Sequence, residues 1–192
     1  MRYSEDHKAQ THQRIINEAS ARFRRDGIGA TGLQPLMKAL GLTHGGFYAH
    51  FKSKDDLVEK SLRQAVDTLA THCDGLFGQA DEPLAGFIDH YLSAAHRASP
   101  AQGCPLPTMS AELGQRGQAS AITDEVINNR LRAIEKGLPD TQAQISELST
   151  VMLSALVGAI VLSRSALDPA LSDRILDDTR EWLKQQTKDQ SR

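Results

Sequence analysis

Polar side chains that can contact nucleic acid are concentrated between residues 32 and 54. Their hydroxyl, imidazole and ammonium groups can reach base edges or phosphates, and they belong to Thr43, His44, Tyr48 and Lys54. Catalytic motifs are missing from the whole sequence, which contains no G-x-S-x-G, no H-E-x-x-H and no phosphate-cradling Gly-rich loop. The residue types therefore point to binding rather than to catalysis.

Two short helices joined by a tight turn are predicted to position these side chains. Apolar residues recur at i, i+3, i+4 and i+7 along the first helix, at Leu33, Leu36, Met37 and Leu40. Gly41 follows, where a residue with positive φ is wanted after a helix. Thr43 can then cap a second helix with Phe47 and Phe51 on its apolar side. This pattern predicts a helix-turn-helix, whose second helix enters the DNA major groove.

The sequence L-T-H-G-G-F-Y-A-H-F-K-S-K-D-D-L, residues 42–57, resembles the recognition-helix signature of the TetR family of one-component transcriptional regulators. The resemblance implies a homodimer that binds a near-palindromic operator in double-stranded DNA and responds to a small molecule, usually as a repressor. From the residues themselves we also expect a cytoplasmic protein with no cofactor, no metal and no enzymatic activity. Base or sugar contacts are expected from Thr43, His44, Gly45 and Phe47, and phosphate contacts from Thr31, Tyr48, His50 and Lys54.

Two features depart from the family pattern. Gly32 and Pro35 replace the usual Ser or Thr and acidic residue, so the first helix of the pair lacks a capping box. Gly45 and Gly46 loosen the start of the second helix, since Gly costs about 1 kcal/mol relative to Ala in a helix interior. Their small size would allow the backbone to approach DNA closely.

Charge is distributed unevenly along the chain. Residues 1–60 hold ten Lys or Arg and seven Asp or Glu, giving +3, and the remainder holds twelve and seventeen, giving −5. A basic head on an acidic body suits a head that meets phosphate, although chance could produce the same split. Two Cys residues indicate a reducing compartment, and the start of the sequence shows no signal for export.

The chain is predicted to be all-α, with about nine helices. A DNA-binding head at 1–53 precedes a ligand-binding and dimerisation body at 54–192, and the long fourth helix, capped by Ser53, links the two. The first helix runs from a cap at Ser4 to Gly27, and a fifth spans 84–98. An eighth helix runs from about 141 to 167 and a ninth from 172 to about 186, separated by Asp168-Pro169. Val151–Leu162 is too short an apolar stretch to span a membrane, so we expect a buried helix.

The body is expected to enclose a small, largely apolar ligand. Tyr91 and Glu112 are candidates for orienting it by hydrogen bonds, although Glu112 fits a surface charge equally well. The segment at Cys104 resembles the G-C-x-L…E sequence of a TetR subgroup; its thiol is either an electrophile sensor or a small residue beside the pocket. His90 and His96 lack the further ligands that a metal site needs. The candidate ligand-binding residues are Phe87, Tyr91, Cys104, Met109, Glu112, Leu113, Ile127 and Met152.

The last two helices are expected to form half of a four-helix dimer interface, with packing inside one subunit as the alternative. Small residues in the eighth helix would allow close approach. The candidate interface residues are Val151, Ala155, Gly158, Leu162, Ile175, Thr179, Trp182 and Leu183.

Two other functions compete with a ligand-responsive regulator. One is a helical ligand-binding protein or enzyme with a vestigial head, and the other is a non-specific architectural DNA binder. A strong preference for one DNA sequence over random DNA, measured as a function of salt, separates the three functions.

Overall fold

The structure, a computed structural model, describes residues 5–77, 82–119, 121–139 and 144–188, and for residues 72–77 it describes the backbone only. Every regular element in these ranges is helical, which confirms the predicted all-α class. Shorter turns are a 3₁₀ segment at His44–Ala49 and a π turn at Leu106–Ser110. The helices are α1 (Glu5–Asp26), α2 (Leu33–Ala39), α3 (Lys54–Phe77), α4 (Pro83–Tyr91), α5 (Ala94–Ala98), α6 (Ala111–Gln115), α7 (Ala121–Glu135), α8 (Ile145–Ser165) and α9 (Pro169–Gln186).

Local capping in the first 60 residues follows the sequence signals. Gly27 after α1 has φ +92° and Gly41 after α2 has φ +73°, the left-handed conformation that Gly adopts without steric cost. The hydroxyl of Thr43 accepts a hydrogen bond of 3.2 Å from the Gly46 N–H, and that of Ser53 accepts one of 3.1 Å from the Asp56 N–H. These caps confirm the predicted element starts, whereas the predicted cap at Ser4 lies outside the described residues.

Three predicted elements take a different form. The second helix of the pair is a 3₁₀ segment, consistent with the weak helix propensity of Gly45-Gly46. The predicted fifth helix is broken into α4 and α5, because Ser93 starts a new helix by accepting a hydrogen bond from the His96 N–H. The last helix begins at Pro169, because the Asp168 carboxylate caps it through the Ala170 N–H at 3.0 Å.

The chain divides into two compact units. Unit 1 comprises residues 1–68 and 100–122, and unit 2 comprises residues 69–99 and 123–192. The segment 100–122 belongs to the same unit as the helix-turn-helix. The division into a head at 1–53 and a body at 54–192 stays a prediction. Helix α3 contains residues on both sides of the division between residues 68 and 69.

The core of unit 2 is built around α8, which packs along α9. Met152, Leu156 and Ile160 are fully buried on one side of α8. Among the described residues α8 alone is long and apolar enough to span a membrane, and 33% of its most apolar window is buried inside the unit. The expectation that Val151–Leu162 is a buried helix therefore holds for one side of α8, and the other side leaves apolar surface exposed.

Candidate nucleic-acid interface

Aromatic rings anchor the 3₁₀ segment to the rest of unit 1. Phe47 is 0% exposed, and its ring stacks on that of Phe51 with centroids 5.3 Å apart. The His12 ring of α1 also stacks on Phe51, with centroids 4.5 Å apart. Leu36 and Met37 of α2 are fully buried as well. This apolar side fixes the segment, so its opposite side faces solvent in a defined orientation.

The turn between α2 and the 3₁₀ segment is held by hydrogen bonds to backbone carbonyls. The N–H of Leu42 donates to the Met37 carbonyl oxygen at 2.9 Å. From α1, Nη2 of Arg14 donates to the Leu40 carbonyl oxygen at 3.3 Å. These bonds satisfy acceptors at the C-terminal end of α2 and fix the position at which Thr43 begins the segment.

A small polar face is exposed on the first turn of the 3₁₀ segment and beside it. Thr43, His44 and Gly45 are exposed, and Tyr48 is 62% exposed although it is aromatic. The rings of His44 and Tyr48 meet edge to face, with centroids 6.0 Å apart. A Cβ built on Gly45 would have no neighbouring heavy atom within 4 Å. This face combines donors, an aromatic ring and an open backbone, which suits contact with a DNA groove.

Two histidines beside this face have lowered pKa values. Burial is the main cause for both; the pKa of His50 is lowered further by His12 and Lys8, and that of His12 by Lys60. His50 therefore favours the neutral imidazole, which can donate or accept a hydrogen bond but adds no positive charge.

The structure separates the predicted DNA-contacting residues into two groups. Thr43, His44, Gly45 and Tyr48 lie at the surface, and His50 is half-buried beside them. The other three are directed inward. Phe47 offers no surface to a base, the buried Thr31 hydroxyl donates to the Gly27 carbonyl oxygen at 2.7 Å, and Nζ of Lys54 donates to the Ile28 carbonyl oxygen at 2.5 Å.

The inward position of these three residues has physical reasons. The ring of Phe47 supplies the apolar anchor of the segment, while Thr31 and Lys54 satisfy carbonyl groups of the turn between α1 and α2. Burial, followed by the charge of Arg116, lowers the pKa of Lys54. Base or phosphate contacts by the buried Phe47 and Thr31 require different positions from the ones they occupy here. A phosphate contact by the half-buried Lys54 stays a prediction.

Two exposed cations outside the predicted contact set precede and follow the exposed face in the sequence. Lys38 is exposed in the last turn of α2, and Lys52 is exposed just before α3. Lys52 belongs to the family signature, which could have identified it as a contact. Their ammonium groups can add phosphate contacts that hold the segment in register.

The predicted ligand-binding residues are distributed over both units. In unit 2, the rings of Phe87 and Tyr91 lie 5.6 Å apart, and Met152 is fully buried, while Ile127 is half-buried. Unit 1 contains Cys104, Met109, Glu112 and Leu113. Three of these are buried, and the Glu112 carboxylate accepts hydrogen bonds from the backbone of Ile28 and Gly29. That all eight residues surround one ligand stays a prediction. Among the described residues, no cluster of three His, Cys, Asp or Glu side chains could hold a metal ion.

Most of the predicted interface residues in unit 2 reach the surface. Val151, Leu162 and Trp182 are exposed, and Ala155, Gly158, Ile175 and Thr179 are partly exposed. Leu183 is fully buried and lies on the inward side of α9 instead. Because one residue turns a helix by about 100°, Trp182 and Leu183 fall on different faces.

Comparison with known proteins identifies the same region. The family model described as "Bacterial regulatory proteins, tetR family" matches residues 15–60. An uncharacterized HTH-type transcriptional regulator of Mycobacterium tuberculosis is 27% identical over 94% of this chain and 97% of its own. The HTH-type transcriptional repressor KstR2 of Mycolicibacterium smegmatis is 30% identical over 45% of this chain and 42% of its own.

Solved structures share the fold over nearly the whole chain. A TetR-family regulator from Cytophaga hutchinsonii has a TM-score of 0.76 at 20% identity, covering 94% of this chain and 96% of its own. The reduced form of Escherichia coli NemR has a TM-score of 0.76 at 15% identity, covering 95% of this chain and all of its own.

Proposed function

Because the chain belongs to the TetR family and is a DNA-binding transcriptional regulator, we propose that it is a repressor that a small molecule releases from its operator. The observation that carries the DNA-binding role is the exposed face of Thr43, His44, Gly45 and Tyr48, anchored from behind by the buried Phe47. An exposed polar face on a rigid apolar base is what direct reading of base edges requires. The protein would act in the cytoplasm, where bacterial DNA lies.

The proposed assembly is a homodimer through α8 and α9. Supporting it, Val151 and Leu162 of α8 and Trp182 of α9 expose apolar surface. Contiguous apolar surface of this kind is typical of a protein interface when the exposed residues form one patch. A dimer would place two 3₁₀ segments on half-sites about 34–36 Å apart in a near-palindromic operator.

The proposed effector is a small and largely apolar molecule. Its support is the resemblance to the family together with the apolar character of the candidate residues, including Phe87, Met109 and Met152. Such a ligand can release the operator only if it binds the released state more tightly than the DNA-bound state.

Two substitutions on the exposed face test the DNA-binding role. Tyr48→Phe removes one hydroxyl and should weaken binding to all DNA sequences alike, because a phosphate contact carries no sequence information. His44→Ala should also change the preferred sequence, since imidazole can bond a base edge. Sites would be selected from a random duplex library by the wild type and by each variant. If both folded variants bound the same sites with wild-type affinity, this face would not be the DNA-reading surface.

A further inference from the structure

The carboxylate of Glu112 in α6 binds the turn that joins α1 to α2. Its Oε2 accepts a hydrogen bond of 2.5 Å from the Ile28 N–H, and its Oε1 accepts one of 2.6 Å from the Gly29 N–H. Hydrogen bonds from N–H groups to an ionised carboxylate are roughly twice as strong as neutral ones. Glu112 therefore fixes this turn across 84 residues of sequence.

Two glycines allow the carboxylate to approach this closely. Gly27 has φ +92°, which turns the chain so that the next two N–H groups point the same way. A Cβ on Gly29 would lie 2.8 Å from Oε1 of Glu112 and 2.7 Å from Nη2 of Arg116. Any side chain at Gly29 would push these two groups away, so the contact depends on glycine at this position.

Two cations complete the contact. Arg116, one turn further along the chain, donates to Oε1 of Glu112. Lys54, the first residue of α3, donates to the Ile28 carbonyl oxygen at 2.5 Å. The turn between α1 and α2 is thus held through its N–H groups by α6 and through a carbonyl group by α3.

The segment before α6 has its own attachment to α1. Nη1 of Arg24 donates to the Gly103 carbonyl oxygen at 3.0 Å, and the Thr108 hydroxyl donates to the Arg24 carbonyl oxygen at 2.9 Å. Met109 and Leu113 are buried in addition. These interactions hold the segment in place when the Glu112 carboxylate is removed, so a substitution there loosens the turn without detaching α6.

The turn leads directly into α2, the first helix of the helix-turn-helix. The Thr31 hydroxyl bonds the Gly27 carbonyl oxygen, and Gly32 is the N-cap of α2. Gly32 has no side chain that could cap the helix, so the start of α2 depends on how the preceding turn is held. In turn, α2 packs on the 3₁₀ segment that carries the exposed face.

We propose that Glu112 is a positioning residue for DNA recognition, which holds the turn before α2 and so sets the orientation of the 3₁₀ segment. This rests on the proposed DNA-binding function. The proposal also gives α6 a regulatory role. Any movement that withdraws the Glu112 carboxylate would loosen the turn, and with it α2 and the 3₁₀ segment. Glu112 acts through the turn and touches no DNA itself.

Two variants disrupt the hydrogen bonds of Glu112 in different ways. Glu112→Gln keeps the size of the side chain but presents an amide N–H₂ to one of the two backbone donors. Gly29→Ala displaces the carboxylate without changing the charge. Their matched controls are Glu59→Gln, which removes an exposed charge in the same unit, and Gly114→Ala, whose added Cβ meets no atom within 4 Å.

The affinity of each variant would be measured for two duplexes of equal length. One is a duplex selected by the wild type, and the other has a random sequence. Both variants should lose about tenfold in affinity for the selected duplex. Their affinity for the random duplex should be unchanged for Gly29→Ala and unchanged or higher for Glu112→Gln, because removing a negative charge favours phosphate. The controls should retain the specificity of the wild type.

A decrease in stability alone would not change the ratio of specific to non-specific affinity in the folded fraction. Amide chemical shifts of Ile28 and Gly29 report directly whether the carboxylate still accepts their hydrogen bonds. Wild-type specificity in folded variants whose shifts show these hydrogen bonds broken would overturn the positioning role and leave the proposed function intact. Failure of the wild type to select any sequence would overturn both. If Glu112→Gln does not fold, Gly29→Ala alone decides between these outcomes.

Discussion

Nη1 of Arg24 in α1 donates a 3.0 Å hydrogen bond to the carbonyl oxygen of Gly103, the residue immediately before Cys104. Burial lowers the pKa of Arg24, and Cys104 acts in the opposite direction. Cys104 is buried in this contact, and the electrophile-sensor hypothesis stays a prediction.

Cys104→Ser tests that hypothesis. The thiol is 5% exposed, so an alkylating reagent such as N-ethylmaleimide should react more slowly with the folded protein than with the unfolded chain. If Cys104 is the trigger, Cys104→Ser should bind DNA as the wild type does and remain bound after the reagent is added. Cys73→Ser serves as the control, since it leaves Cys104 in place. Release of Cys104→Ser by the same treatment would eliminate the thiol mechanism and leave the non-covalent pocket as the proposed trigger.

Gly45→Ala should separate folding from DNA binding. The added Cβ meets no atom within 4 Å of the free protein, so the unfolding free energy should change by less than about 1 kcal/mol. On DNA the same methyl group would occupy space that the backbone needs for close approach, and affinity should fall about tenfold. Thermal unfolding and a DNA titration would be compared with those of Gly114→Ala. Wild-type affinity of Gly45→Ala would show that the backbone at Gly45 does not approach DNA closely.

Gly158→Leu should weaken the dimer. A Cβ at Gly158 meets no atom within 4 Å of its own chain, and a Leu side chain there would collide with a partner packed on α8. Sedimentation velocity should show dissociation at concentrations where the wild type stays dimeric. Trp182→Ala should act in the same way, because the ring is 47% exposed.

Leu183→Ala is the contrasting change next to Trp182. Leu183 is 0% exposed, so truncation should lower the unfolding free energy by about 2–5 kcal/mol, the range for Leu→Ala in a core. Its main effect should be on folding rather than on association. A wild-type chain that is monomeric at micromolar concentration and still binds DNA specifically would contradict the proposed dimer.

Stability should fall in mild acid, partly because of His96. Burial lowers the pKa of His96 from its ordinary 6.5, opposed by the hydrogen bond between Nδ1 and the Tyr91 carbonyl oxygen at 2.6 Å. Below pH 6.5 the unfolded chain therefore binds a proton that the folded protein does not, and stability is lost as the pH falls towards the lower folded pKa. His12 and His50, whose pKa values are also lowered mainly by burial, act in the same direction.

Urea unfolding at about pH 7.5 and about pH 5.5 measures this decrease. His96→Gln cannot titrate and should show a smaller difference between the two pH values than the wild type. His7→Gln, at an exposed position in α1, provides the control. An equal difference in the wild type and His96→Gln would exclude His96 as a source of the pH dependence.

The features that the sequence predicts correctly are local. Thr43 and Ser53 each cap the element that follows by accepting a hydrogen bond from an N–H three residues away. Gly41 follows an apolar repeat that is visible in the sequence. Signals of this kind lie within one helical turn and can be recognised in the sequence without knowledge of the tertiary structure. The all-α class and the helix-turn-helix follow from them.

The positions of side chains in the tertiary structure cannot be predicted from such local signals. A periodic stripe does not say which residues at its edge turn inward, so it assigns Trp182 and Leu183 to the same face although one is exposed and the other buried. Glu112 meets Ile28 across 84 residues, and its short helix gives no sign of that partner. The hydrogen bonds of Thr31 and Lys54 likewise depend on the turn between α1 and α2.

The salt dependence of binding to a selected duplex, measured beside a random duplex of the same length, tests the central claim most directly. A sequence-specific regulator should prefer its selected site by about 10³-fold or more at physiological salt, and log affinity should decline linearly with log salt concentration. The preference should persist as salt rises, because base contacts release few counterions. Equal affinity for both duplexes at every salt concentration, or no binding to either, would contradict the proposal that this protein reads an operator through the exposed face at Thr43–Tyr48.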